Sequence, residues 1–124
     1  MATVKSYTDI EQSKKLAEIL PLESADMYWF RDDTEIPKVF PQDMMHDSAS
    51  VTLPCWSLAA LLNVIPKHIK DYNVLRIDNS NNDFAIWYVE IGFGVNKDLP
   101  DITTESAVDA CYEMIIRLNE LNLL

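Results

Sequence analysis

Cys55 is the residue of this sequence best suited to covalent chemistry, because a cysteine thiolate becomes a strong nucleophile once a neighbouring base takes its proton. His46 and His68 are the two histidines of the chain. Pro54 suits the first turn of a helix, and unpaired N–H groups there would stabilise a thiolate. The pattern allows a small thiol-dependent hydrolase centred on Cys55, with His46 or His68 as its base. The alternative is a buried structural cysteine, since free cysteine is among the residue types most often buried.

The string Cys55-Trp56-Ser57 resembles the nucleophile segment of papain-like cysteine peptidases, in which a Cys-Trp pair opens a long apolar helix. The resemblance implies a nucleophilic role for Cys55. The preceding residues 51–54 lack the glutamine and the Cys-Gly-Ser approach of that family, and His68 is the only histidine after Cys55. In the family the catalytic histidine follows roughly 130 residues or more downstream. The resemblance therefore stays confined to this short segment, and only a different thiol dyad remains open.

A row of carboxylates lies on the predicted last helix, where Glu105, Asp109 and Glu113 are spaced i, i+4 and i+8. Tyr112 and Ile116, also four residues apart, lie beside this row instead of opposite to it. We interpret these five residues as a partner-binding surface, an apolar contact flanked by carboxylates that suits a protein with a basic rim. The alternative is a helix that is buried over more than half of its circumference.

The chain is strongly acidic, because ten Lys and Arg residues against twenty Asp and Glu residues give a net charge of −10 over 124 residues. Direct nucleic-acid binding is not expected, since phosphate contacts require clustered Lys and Arg. Both halves of the chain carry the same excess of acids, which indicates an even coat that favours solubility. A rival hypothesis is an acidic mimic of nucleic acid that inhibits a host DNA-binding protein.

Motifs for metals, cofactors and targeting are missing from the sequence. No HExxH, EF-hand, GxGxxG or GxxxxGK[ST] spacing occurs, so we expect no metal site and no cofactor. Cys55 and Cys111 are isolated and form no CxxC pair or disulfide framework. The start MATVKSYTDI lacks a basic segment followed by an apolar stretch. We therefore expect a cytoplasmic protein that does not bind membranes.

Capping residues and apolar spacing predict three helices. The first can be capped by Thr8 or Asp9, and a strand rich in aromatic residues follows it. Residues 31–54 combine charges with Pro37, Pro41 and Pro54, which is typical of a long irregular connection. The predicted helices are Thr8 to Leu20, Pro54 to Ile65, and Thr103 or Thr104 to about Asn119, and the predicted strand is Leu22 to Phe30.

A β-hairpin is the clearest strand signal, since Val74 to Asp78 and Phe84 to Ile91 flank a cluster of Asn and Ser residues. Alternation places large apolar groups on both faces of the second strand. Helices or another subunit should cover both faces, and a homodimer formed through one face follows as an expectation. We predict a single α+β domain over residues 1–124, with about three helices packed on a small antiparallel sheet containing this hairpin.

Four stretches of the chain together resemble a group of short proteins without established activity that occur in phages and prophages of gut bacteria. The stretches are LAEILPLESADMYW, PCWSLAALLNVIP, FAIWYVEI and ESAVDACYEMIIRLNEL. The resemblance implies a genomic setting and no reaction. The favoured prediction is a non-enzymatic accessory protein of a phage or mobile element that binds another protein, through the Tyr112 and Ile116 surface or through residues 31–54.

Overall fold

The computed structural model describes residues 5–31, 37–41, 52–79 and 82–124. These residues form three α-helices, one short 3-10 helix and two antiparallel sheets, which confirms the predicted α+β class with more strand than expected. The assignment of one domain over the whole chain stays a prediction. The elements are α1 (Ile10–Ala17), the 3-10 helix (Leu22–Ser24), β1 (Met27–Arg31), β2 (Pro37–Pro41), β3 (Thr52–Cys55), α2 (Leu58–Val64), β4 (His68–Ile69), β5 (Asn73–Asp78), β6 (Phe84–Glu90), β7 (Gly94–Val95), β8 (Ile102–Thr104) and α3 (Ala107–Glu120).

The first sheet has β1 at its centre, with β2 and β3 as antiparallel neighbours on its two sides. The prediction of one irregular connection over residues 31–54 is therefore wrong at β2 and β3. Both proline-containing strands are edges of this described sheet, where a proline that faces outwards costs no ladder hydrogen bond. The predicted strand Leu22 to Phe30 begins later, at Met27, because Leu22–Ser24 forms the 3-10 helix.

Each α-helix begins after a polar residue whose side chain accepts a hydrogen bond from a backbone N–H of the first turn. Asp9 caps α1 by accepting from the Gln12 N–H, and the Gln12 side chain accepts from the Asp9 N–H in return. Ser57 caps α2 and Ser106 caps α3. None of the helices in the described part of the chain is long and apolar enough to cross a membrane.

The starts of two predicted helices are corrected by strand pairing. Pro54 lies in β3 opposite Tyr28 of β1, so the second helix cannot begin there. Thr103 and Thr104 lie in β8, where Thr104 pairs with Phe84 of β6. In both places residues shortly before the serine cap form hydrogen bonds with a neighbouring strand, and the helix begins only after that cap.

The second sheet contains the predicted hairpin, formed by β5 and β6, and the prediction is confirmed to within one residue at each end. Its register pairs Val74 with Val89 and Arg76 with Trp87. β4 pairs with β5 on the far side, whereas β7 and β8 pair with successive stretches of the other edge of β6. β6 is consequently an interior strand with neighbours along both edges.

The core lies between α3 and one face of the second sheet, which we call the inner face. Phe84, Ile86 and Tyr88 of β6 are buried on the inner face, and α2 packs against α3 from the other side. Trp56, just before α2, is fully buried in the same cluster. The residues of α3 that are buried there are Val108, Ala110, Cys111, Met114, Ile115 and Leu118.

Candidate functional site

Cys55 lies at the end of β3 and is fully buried. Its Sγ donates to the Thr8 carbonyl oxygen at 3.4 Å and accepts from the Thr8 hydroxyl at 3.6 Å. The Thr8 hydroxyl in turn lies 2.8 Å from that of Ser13. Burial raises the pKa of the Cys55 thiol and outweighs the hydrogen bonds from these hydroxyls. The thiol is therefore protonated at neutral pH, and its environment matches the structural cysteine considered as an alternative.

His68 is not among the groups that contact Cys55. It is exposed on β4, beyond the C-terminal end of α2, whereas Cys55 precedes the N-terminal end of that helix. Ser57 is the cap of α2, so the Cys55 thiol does not occupy the helix N-terminus that was expected to stabilise its thiolate. His46 lies outside the described residues. The structure thus does not bring Cys55 and His68 together as a dyad.

The other ionisable groups that sequence reasoning considered give no second reactive centre. Cys111 is fully buried in α3, and burial raises its pKa to about 12. Within the described ranges no three His, Cys, Asp or Glu side chains cluster closely enough to hold a metal ion. A shallow cavity of about 260 Å³ lies beside the C-terminal end of α3, and its charged side chains Lys97, Asp98, Arg117 and Glu120 come in both signs. This cavity therefore selects no ligand charge.

The first two residues of the predicted acidic row on the last helix, Glu105 and Asp109, do not form a free row of carboxylates with Glu113. Glu105 precedes the Ser106 cap and is not part of α3. Asp109 Oδ1 accepts hydrogen bonds from Lys5 Nζ at 2.7 Å and from Gln12 Nε2 at 2.8 Å. Burial raises the pKa of Asp109, but these hydrogen bonds outweigh it, and the pKa is lowered. Asp109 therefore ties the N-terminal segment to α3.

Tyr112, Glu113 and Ile116 lie on the same side of α3 and are each partly buried. Tyr112 and Ile116 pack against the edge of the core. Burial, and then the charge of Glu113, raise the pKa of Tyr112. The apolar area that these residues leave to solvent is accordingly limited, and their role in binding a partner stays a prediction.

A second apolar surface, which the sequence interpretation did not single out, lies on the side of the second sheet opposite to α3. We call it the outer face. It is exposed at one end, where Ile91 is 62%, Val95 50% and Tyr72 47% accessible. Its members are Tyr72, Val74, Trp87, Val89, Ile91 and Val95, of which Val74, Trp87 and Val89 are partly buried.

The register of the sheet arranges the outer face in rows that cross the strands. Val74, Val89 and Val95 form one row, since Val89 pairs with both of the others. Arg76 and Trp87 form the row on one side of the valines. On the other side, the Ile91 N–H donates to the Tyr72 carbonyl oxygen at 2.8 Å and aligns these two residues. Next to Ile91, Phe93 is 84% exposed at the turn between β6 and β7.

The alternation along β6 was the signal for this surface. It placed apolar residues on both faces and led to the expectation that both would be covered. In the described part of the chain α3 covers only the inner face, and which face a helix covers is decided by tertiary packing.

Comparison with protein-family models, curated proteins and solved structures gives no match to this chain. Its function therefore has to be argued from its own geometry.

Proposed function

We propose that the protein is a non-enzymatic protein-binding module and that the outer face is its docking surface. One observation carries the proposal. The apolar side chains of the outer face lie in adjacent rows, and Tyr72, Ile91 and Val95 at one end are half-exposed. Water-exposed apolar patches of this kind, when rimmed by polar groups, mark interaction sites. Arg76 lies beside the valine row, and His68, which pairs with Val74, lies at the end of that row.

The composition of the outer face suits an interface. Trp87 and Tyr72 are aromatic anchors, the residue types that contribute most to binding when a partner buries them. Trp87 lies on β6, and Tyr72 is held at the start of β5 by the hydrogen bond from the Ile91 N–H to its carbonyl oxygen, so both residues are positioned before binding and little conformational entropy is lost. The face can therefore dock a partner with a flat apolar surface.

The accessory role in a phage or mobile element belongs to the same proposal. It rests on the resemblance of the four sequence stretches, whereas the binding role rests on the outer face. The surface at Tyr112 and Ile116 is a second candidate contact, with less exposed apolar area. A nucleic-acid mimic has weaker support, because Asp109 is engaged by Lys5 and Glu105 lies off the helix. A thiol hydrolase has weaker support still, since Cys55 is buried and bonded to Thr8.

Capture by the immobilised protein from a bacterial lysate, at low and at high salt, tests this proposal. Val95→Asp places a charge on the outer face at a half-exposed position, and Ile116→Asp places one at a partly buried position on α3. We expect a partner that the wild type and Ile116→Asp retain and that Val95→Asp loses, with little salt dependence because the contact is apolar. Loss with Ile116→Asp alone would move the binding site to α3, and salt-sensitive capture of a nuclease or polymerase would favour mimicry.

A further inference from the structure

We infer that a second copy of this chain covers the outer face, packed face to face about a twofold axis that crosses the strands along the valine row. The inference rests on the proposed function and names the occupant of the same surface. In an isologous interface each residue on the axis meets its own copy, and residues on opposite sides of the axis meet each other. The rows of the outer face satisfy this requirement.

The side chains that this axis brings together are complementary. Val95 lies against the partner's Val95, and the other valines of the row extend the contact. The row of Arg76 and Trp87 meets the row of Tyr72 and Ile91 in the other copy, since the two rows lie on opposite sides of the valines. Trp87 then covers the exposed Ile91. Arg76 lies over the ring of Tyr72, a favourable contact between a guanidinium and an aromatic face.

Shifting the axis by one row removes this complementarity. An axis through the row of Arg76 and Trp87 would set Arg76 against Arg76 of the other copy, and like charges opposed at an interface disfavour the contact. An axis through the row of Tyr72 and Ile91 would leave Trp87 outside the contact. The valine row is therefore the position at which the apolar surface is covered and the two Arg76 side chains are kept apart.

The charge distribution of the chain also permits this contact. Two copies with a net charge of −10 each repel one another as wholes. Residues 67–97, which contain the outer face, are electrically neutral: four bases, Lys67, Lys70, Arg76 and Lys97, balance four acids, Asp71, Asp78, Asp83 and Glu90. The segment from β4 to β7, which carries the outer face, thus brings no net charge of its own to the contact.

The size of the outer face sets the strength to be expected. Three rows across three strands span roughly 13 Å along the strands and roughly 10 Å across them, given the usual strand and residue spacings. This footprint is well below the area of roughly 800 Å² that each partner of a stable complex usually buries. We therefore expect a weak, reversible dimer that is populated only at high protein concentration.

Sedimentation equilibrium over a concentration series that extends to high micromolar tests the inference. Val95→Asp sets two carboxylates against each other on the axis and should weaken dimerisation by at least about tenfold. Thr103→Asp is the matched control, because it adds the same charge at an exposed position of the same sheet face, opposite Ala85 and away from the axis. We expect it to dimerise as the wild type does. A wild type that stays monomeric throughout, or equal weakening by both variants, overturns the inference.

Crosslinking tests the position of the axis. The native cysteines are fully buried, so a cysteine introduced at Val95 is the accessible thiol for a short bismaleimide. Val95→Cys should crosslink to its own copy, and Thr103→Cys should not. A dimer in which only Thr103→Cys crosslinks overturns the axis through the valines. Far-UV circular dichroism of each variant shows that it is folded, and Val95→Ser serves as the uncharged replacement.

The two proposals fail in different ways. If the wild type is monomeric but captures another protein in a manner that depends on Val95, the dimer inference is wrong and the proposed binding function stands. If the wild type is monomeric and Val95→Asp changes none of the captured proteins, both the dimer inference and the outer face as a docking surface are wrong.

Discussion

Replacing Asp109 with asparagine tests whether the contact between the N-terminal segment and α3 is a stabilising ion pair. Lys5 Nζ lies 2.7 Å from Asp109 Oδ1, and Gln12 donates to the same oxygen. Asparagine keeps the size of the side chain and one acceptor oxygen but removes the charge. The variant therefore isolates the electrostatic part of the contact.

The magnitude follows from exposure and position. The side chains of Lys5 and Asp109 are 28% and 39% accessible, so solvent screens the pair and its contribution is about 0.5 kcal/mol, within the range of exposed pairs. Asp109 also lies in the first turn of α3, where a negative charge contributes about 0.5 kcal/mol. We expect Asp109→Asn to lower the free energy of unfolding by about 1 kcal/mol at neutral pH.

The same pair makes stability depend on pH. The pKa of Asp109 is lowered in the folded protein, because hydrogen bonds from Lys5 and Gln12 outweigh the effect of burial. A carboxyl with a lowered folded pKa contributes stability above its unfolded pKa of about 3.9 and loses that contribution as the pH falls through the folded pKa. The stability difference between the wild type and Asp109→Asn should therefore disappear in strong acid.

Urea unfolding followed by far-UV circular dichroism measures this difference at neutral and at acid pH. Glu113→Gln is the control, because it removes one carboxylate from the same helix and Glu113 has no ion pair within the described residues. We expect a change near zero for it. Equal destabilisation by the two variants, or a difference that persists in strong acid, would refute the reasoning.

Three further predictions concern buried thiols and helix ends. Cys55 and Cys111 should react with iodoacetamide only after unfolding, because burial raises both pKa values; mass spectrometry of the native protein that finds rapid labelling of Cys55 would reopen the thiol chemistry. Ser57→Ala removes the cap of α2 and the hydrogen bond that the Ser57 hydroxyl donates to Asp26 and should cost about 1 kcal/mol in urea unfolding, a loss that Ser57→Thr, which keeps the hydroxyl, should largely avoid. Asn122 has a φ of 59° just after α3, so Asn122→Gly should raise the thermal midpoint and Asn122→Ala should lower it, whereas equal effects would argue against strain at this residue.

The elements that the sequence predicts well are those in which local signals agree. The hairpin combines alternating apolar residues with a turn-prone cluster, and the last helix combines good helix formers with a continuous apolar side. β2 and β3 were missed because Pro37, Pro41 and Pro54 are typical of loops, and only pairing with β1 makes them strands. The helix starts were displaced for the same reason, since Thr104 is both a possible cap and a partner for Phe84.

The candidate sites depend on contacts between distant parts of the chain, which local patterns do not contain. Lys5 and Asp109 are 104 residues apart, so their ion pair could not be predicted, and Asp109 was assigned to a partner surface. Cys55 has the local sequence of a nucleophile, but Thr8, far from it in sequence, makes both of its hydrogen bonds. The outer face could be predicted as apolar from β6, whereas its exposure could not.

The position of β6 between β5 on one edge and β7 and β8 on the other has a consequence for aggregation. Its residues Phe84 to Val89 form an uninterrupted apolar run whose members other than Ala85 are aromatic or β-branched, the composition of segments that stack into amyloid-like sheets. As an interior strand it has neighbours along both edges, which limits the backbone open to pairing with another chain. On one edge its neighbours are two short strands, β7 with two residues and β8 with three. Loss of β8 pairing would open one edge of this apolar run, so substitutions at Ile102, which pairs with Ile86, should speed aggregation more than they lower the free energy of unfolding.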